Sequence, residues 1–163
     1  MTDDQNYLNY SPKAMKLLWH QNSLLKKLFL QDENLTIEML YLVKVKVAQL
    51  HQCYFSVNLH SEEALRKGEK AERLRGLNIW RDMPFYTEYE QVALEWTEHL
   101  CEGREFREGL YESFVKEIGE VSMVNLTLAI NAIKTWIRIS KERITYDDYS
   151  ALRSNPKIDF SYL

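Results

Sequence analysis

Tyr41-Leu-Val-Lys-Val-Lys-Val-Ala-Gln-Leu50-His-Gln-Cys53-Tyr-Phe-Ser56-Val-Asn-Leu-His60 is the stretch on which the fold turns. Two periodicities compete in its first half. Val43, Val45 and Val47 alternate with Lys44 and Lys46, and propensity alone favours a strand over residues 42–47. Leu40, Val43, Val47 and Leu50 fall at helical spacing, which favours a helix over residues 35–50. On the helical reading, His51-Gln52 is a tight polar break and a second helix starts at Cys53. Steps of three and four residues then set Cys53, Ser56 and His60 along one face of it. A thiol at a helix N-terminus feels the positive end of the macrodipole, which favours the reactive thiolate. A histidine two turns on is suited to relaying a proton, or to serving as a polar neighbour.

Outward from this stretch, punctuation is sparse: five glycines and three prolines in 163 residues point to long helices. Ser11-Pro12 reads as a helix start, a capping hydroxyl with proline at the first helical position. Leu17, Leu18, Leu24, Leu25, Leu28 and Phe29 form an apolar stripe to about residue 30, and residues 31–34 break it. The helix from Cys53 stops near Lys67, with Gly68 suited to a left-handed C-cap. A short helix is expected over residues 70–79, ending before Met83-Pro84. Thr87-Glu-Tyr-Glu90 is a capping box that opens a helix to about Cys101, and Gly103 ends it. Residues 105–118 form another helix, ending at Gly119. The last, residues 121–143, carries Met123, Leu126, Leu128, Ile130, Ile133, Trp136, Ile137 and Ile139 on more than one face. Such a helix is usually buried between layers or subunits. Residues 1–10 read as a flexible N-terminus, residues 11–143 as one helical domain, and residues 144–163 as a tail packed on its own or a neighbouring subunit.

The composition is that of an ordinary globular chain, with 45% hydrophobic and 28% charged residues and a net charge of −3. The charges are interspersed, which argues against a nucleic-acid partner. The first residues carry no basic-then-apolar leader, and no apolar run reaches the ~20 residues that span a bilayer, so no membrane role is expected. Two distant cysteines, Cys53 and Cys101, form no disulfide framework and suit a reducing cytoplasm.

The stretch from Tyr41 to His60 resembles the core of the alkylhydroperoxidase D-like / carboxymuconolactone decarboxylase family. The redox branch of that family carries Glu, eleven residues, then Cys-x-x-Cys-x-x-x-His. Tyr41 stands at the Glu position, Cys53 at the first Cys, Ser56 at the second and His60 at the His. Residues 11–18, 71–88, 92–98 and 125–130 carry the likeness further, over about residues 10–140. The resemblance implies an all-α bundle of about seven helices, assembled as a homo-oligomer, and so decides the opening stretch for helix. It also implies a thiol-dependent peroxidase-like antioxidant oxidoreductase acting on hydroperoxides. In the redox branch the second cysteine attacks first and the pair then forms a disulfide. Serine cannot form that bond, so Cys53 would work alone and need an external thiol reductant. No cofactor is called for.

Each candidate also has a plainer reading. Cys53 is either a redox thiol or a small buried apolar residue. Ser56 is a weak nucleophile or a local hydrogen-bonding group. Tyr41 is a poor base at neutral pH, with an unperturbed pKa near ~10, and suits the core. His60 is a proton relay or a buried contact. His51, two residues before Cys53, is a local imidazole that could substitute for the missing glutamate. His51, Cys53 and His60 match no common zinc spacing. Cys101, Trp80, Trp96 and Trp136 read as structural, and the charged run 62–75 as a solvated helix face. Two alternatives to the peroxidase stay open: a catalytically degenerate protein that binds a small ligand, and a decarboxylase or hydrolase with His60 as its acid–base group.

Overall fold

The computed structural model describes residues 11–103 and 108–141. The expectations for residues 1–10, 104–107 and the tail 144–163 lie outside the described residues. The described chain forms α1 (Pro12–Gln31), α2 (Ile37–Leu50), α3 (Tyr54–Arg66), α4 (Ala71–Gly76), a 3₁₀ segment (Leu77–Asp82), α5 (Glu88–Glu102), α6 (Leu110–Ile118) and α7 (Glu120–Lys141), with no strand among the described residues. The fold is all-α.

The contested stretch is helix throughout α2, and α2 is the centre of the bundle. It packs against α1, α3, α5, α7 and the 3₁₀ segment. Ten consecutive residues, Met39 to Ala48, are buried. The two periodicities conflict in the sequence because no side of this helix faces water, so the lysines at 44 and 46 do not mark an exposed face. Lys46 Nζ lies 2.8 Å from Glu98 Oε1 and donates to Leu77 O at 3.1 Å. Trp80 Nε1 donates to the same carboxylate at 2.9 Å and Arg81 Nη1 at 2.7 Å. Burial alone would raise the Glu98 pKa. The donors from Lys46, Arg81 and Trp80 outweigh it and hold the carboxyl at about 2.

The helix ends follow local chemistry, with three corrections. The hydroxyl of Ser11 makes no capping hydrogen bond, although Pro12 does open α1. The cap of α2 is Thr36, whose Oγ1 accepts from Met39 N at 3.1 Å, so the helix begins at Ile37. α6 begins at Leu110, behind Gly109 at φ 80°. The capping box at Thr87 and Glu90 is formed, and Gly68 and Gly103 take the left-handed conformation at the ends of α3 and α5. Gln52, between α2 and α3, has φ 52°, a strained value for a residue with a Cβ. Along α1 the buried line is Met15, Leu25 and Phe29, whereas Leu17 and Leu24 turn outward. Asp32 ties the start of the bundle to its end: Oδ1 accepts from Ser122 Oγ at 2.7 Å and Oδ2 from Asn125 Nδ2 at 3.1 Å, both on α7.

The Glu98 cluster generates a stability prediction. Glu98→Gln leaves Lys46 buried beside a neutral amide and costs about 3–5 kcal/mol in urea unfolding. The folded carboxyl titrates at about 2, against ~4.5 when unfolded, so its contribution is complete above ~4.5 and is lost as pH falls toward 2. The variant therefore has a flatter acid limb than the parent in that window.

Candidate functional site

Cys53 is the N-cap of α3, and its backbone N–H donates back to Ala48 O at 3.0 Å across the Gln52 turn. Its side chain is only 4% exposed and belongs to the cluster of Val47, Ala48 and the α7 core residues. One turn on, Ser56 is also buried, with Oγ 3.2 Å from Cys53 Sγ; either atom can donate. A further turn brings His60, buried, beside Ser56. Ser56 and His60 line one small cavity between α1, α3 and α7, with Asn22, Phe55, Leu59, Ile133, Trp136 and Ser140 as its other walls. About 20 Å³ of it is open to the centre of a water molecule.

The structure adds two residues that sequence reasoning missed. Glu63, one turn beyond His60, is buried rather than part of a solvated face. Its Oε2 lies 3.9 Å from His60 Nδ1 and accepts from Lys44 Nζ of α2 at 3.2 Å. Lys26 Nζ of α1 lies 3.9 Å from Oε1. A sequence signal existed: His60 and Glu63 stand three apart, on one helical face. It was hidden inside the charged run 62–75, most of which is solvated. Arg73 in that run is likewise engaged, with Glu69 and Glu90.

The electrostatics of this cluster are set by burial. Burial lowers the pKa of His60, Lys44 pushes it the same way, and Glu63 opposes them; the net result is a depressed pKa and a neutral imidazole at pH 7. Burial would raise Glu63, but His60 and Lys44 outweigh it and the carboxyl ends below its ordinary value. Lys44 is lowered by its own burial against the pull of Glu63. The group is thus an ionised carboxylate between a buried ammonium and a neutral imidazole.

The other sequence candidates lie elsewhere. Tyr41 is in a second core cluster with Ala64, Leu74, Trp80 and Tyr86. Burial, with the charges of Glu63 and Glu38, raises its phenol pKa, so it stays protonated. Its ring lies 5.5 Å from Lys44 Nζ. His51 is the C-cap of α2, half-buried, with its backbone N–H donating to Val47 O. Burial pushes the Cys101 thiol up to about 11, which makes it a poor nucleophile at neutral pH. Both cysteines are free. Trp80 and Trp96 are core aromatics whose indole N–H groups donate to Glu98 and Thr127. Among the described residues no three His, Cys, Asp or Glu side chains gather to hold a metal ion, and no helix is long and apolar enough to cross a membrane. A larger groove, about 810 Å³, lies between the starts of α2 and α5 and the α3–α4 turn; none of the sequence candidates lines it.

Residues 16–99, just over half of the chain, match the Carboxymuconolactone decarboxylase family. The uncharacterized protein YdfG of Bacillus subtilis is 29% identical over 142 residues, covering 86% of this chain and 93% of that protein. A crystal structure of a protein of unknown function from Agrobacterium tumefaciens, ATU0492, described as a candidate antioxidant defence protein AhpD, superposes with a TM-score of 0.74. It is 24% identical, over 94% of this chain and 97% of that one, and it speaks for the fold alone.

The depressed His60 pKa has a pH consequence. Unfolding lets the imidazole take up a proton, so stability is complete above ~6.5 and declines as pH falls through that value toward the lower folded pKa. His60→Gln should remove that decline below pH ~6.5 in urea unfolding, and the His60 ring protons of the parent should show no titration step at ~6.5 by NMR.

Proposed function

The chain belongs to the carboxymuconolactone decarboxylase family, and from that premise we propose that it is a single-thiol, peroxidase-like oxidoreductase acting on hydroperoxides, with Cys53 as its redox residue. The observation that carries the reading is the file of groups along one face of α3: Cys53 Sγ 3.2 Å from Ser56 Oγ, Ser56 sharing a cavity with His60, and Glu63 3.9 Å from the imidazole. His60, neutral at pH 7, takes the thiol proton by way of Ser56, whose Oγ touches Cys53 Sγ and which shares the cavity with His60. Glu63 stabilises the imidazolium so formed, in place of the carboxylate that the family pattern puts at position 41. The thiolate attacks one oxygen of the hydroperoxide. An S–O bond forms, the O–O bond breaks, and the sulfur is oxidised to a sulfenic acid. The leaving oxygen recovers the proton from His60 and departs as alcohol or water. Ser56 cannot resolve the sulfenic acid, so an external thiol condenses with it, releasing water, and a second thiol cleaves the mixed disulfide.

The test is intact mass of the reduced protein after brief exposure to hydroperoxide with a sulfenic-acid trap. Labelling should be fast, lost in Cys53→Ser and retained in Cys101→Ser. Labelling no faster than that of a free thiol in solution would remove the reading.

Self-association is the second part of the proposal. Val121, Val124 and Leu128 of α7 form a stripe at helical spacing and are 72%, 50% and 45% exposed, a pattern that suits an apolar contact with another copy. Light scattering should give a mass above one chain, and Val124→Glu with Leu128→Glu should reduce it to the monomer. A monomeric parent would dispose of this part.

A further inference from the structure

Three indole groups of the core can be compared. Trp80 and Trp96 donate their N–H groups to Glu98 and Thr127. Trp136 does not: its Nε1 is buried with no hydrogen-bond partner among the described residues. The residue is 8% exposed and lines the cavity that holds Ser56 and His60. His60 lines the same cavity, with its buried Nδ1 3.9 Å from Oε2 of Glu63, a residue outside the cavity wall. A buried, unmet donor thus belongs to a residue of one small space that Ser56, His60, Asn22 and Ser140 also line, and proteins rarely leave such a group unmet.

The chemistry of the lining limits what meets it. An indole N–H only donates, so the occupant must accept. A neutral imidazole and a serine hydroxyl each donate or accept, so the site also accommodates an occupant with hydroxyl protons. Among the described residues no lysine or arginine lines the cavity, which disfavours an anion. About 20 Å³ is open to a water's centre, and one water needs about 10–15 Å³. Two oxygens joined by a single bond fit the same space. An alkyl group on the second oxygen would run into Phe55, Leu59 and Ile133.

We propose that this cavity is a binding site for unsubstituted hydrogen peroxide, held between Trp136 Nε1 and His60 beside Ser56, and that it excludes alkyl hydroperoxides. The proposal rests on the redox reading of Cys53. In the reaction the Cys53 thiolate, which adjoins the cavity at Ser56 with Sγ 3.2 Å from Oγ, bonds one peroxide oxygen, the O–O bond breaks, and the second oxygen takes the thiol proton and leaves as water. The sulfur is oxidised and the peroxide reduced. Trp136 donates to the departing oxygen as its charge develops.

The site and the reaction are tested separately. In ¹⁵N-labelled Cys53→Ser protein titrated with hydrogen peroxide, the Trp136 indole resonance should shift saturably, while those of Trp80 and Trp96, already hydrogen-bonded, hold still. No saturable shift, or a drift shared by all three, overturns the site even where Cys53 proves reactive. A saturable shift with an inert Cys53 supports the site and removes the redox reading. In protein with Cys53 intact, trapping of the sulfenic acid should be at least about tenfold faster with hydrogen peroxide than with tert-butyl hydroperoxide, and Trp136→Phe should slow the former by about tenfold or more. Equal rates with the two oxidants overturn the size exclusion. Should Trp136→Phe fail to fold, the titration of Cys53→Ser still decides.

Discussion

The fold depends on keeping α2 wholly inside the bundle with two lysines on it. Lys44 and Lys46 are two residues apart, which turns them to opposite sides of the helix, toward α3 and α5. Each meets a buried glutamate there, Glu63 on α3 and Glu98 on α5. An ammonium group removed from water is costly unless paired and hydrogen-bonded, so each pair fixes where its partner helix sits. The two pairs differ in completeness. Glu98 accepts from Lys46, Trp80 and Arg81, and its environment is saturated. Glu63 has one short contact, to Lys44, and two long ones, with Oε1 unpartnered. A saturated cluster is a structural joint. A partly satisfied one retains capacity to respond when a proton moves next to it, and it is this one that adjoins His60.

The site and the scaffold are therefore one arrangement. Glu63 holds α3 to α2 through Lys44, and the same carboxylate oxygen faces the imidazole. The N-terminal end of α3 is set by Cys53, whose N–H reaches back to Ala48 while Gln52 takes the strained turn between them. Strain at one residue, where a glycine would be relaxed, is the local cost of bringing α3 back against α2 after only three linking residues. The thiol, the hydroxyl and the imidazole then follow from helix geometry at steps of three and four.

Much of this could be read from the residues. The caps at Thr87 and Glu90 and the stops at Gly68 and Gly103 were legible because they are local: a few atoms decide them. The line from Cys53 through Ser56 to His60 was legible for the same reason. What escaped were features decided by neighbours distant in sequence. The valine–lysine alternation of α2 looks like a half-buried strand until Glu63 and Glu98 are seen to cover both lysines. Glu63 looked solvated because the charges flanking it are. Ser11 fits the capping pattern in residue type, yet its backbone, at φ −144° and ψ 72°, is not the extended one of the caps that form, and it makes no side-chain cap bond. The outward Leu17 and Leu24 could not be separated from Leu25 and Phe29, since a stripe that wide does not say which of its edges the bundle will cover.

The departures from the family pattern at positions 41 and 56 have different physical weights. Position 41 faces α3 close to residue 63: Tyr41 packs with Ala64, and the Glu63 charge raises its phenol pKa. A carboxylate on either helix reaches the same neighbourhood, so tyrosine at 41 leaves a negative charge near His60 intact. With Glu63 in place, a second carboxylate at 41 would repel the first, and a protonated phenol is the more compatible neighbour. Serine at 56 has no such substitute. Among the described cysteines only Cys101 remains, with its thiol held protonated by burial. The electrostatic part of the pattern is recoverable from the facing helix because charge acts through space. The covalent part is not, because a disulfide needs sulfur at bonding distance. That asymmetry is why the chemistry argued for Cys53 has one protein thiol, and why its second half must come from another molecule.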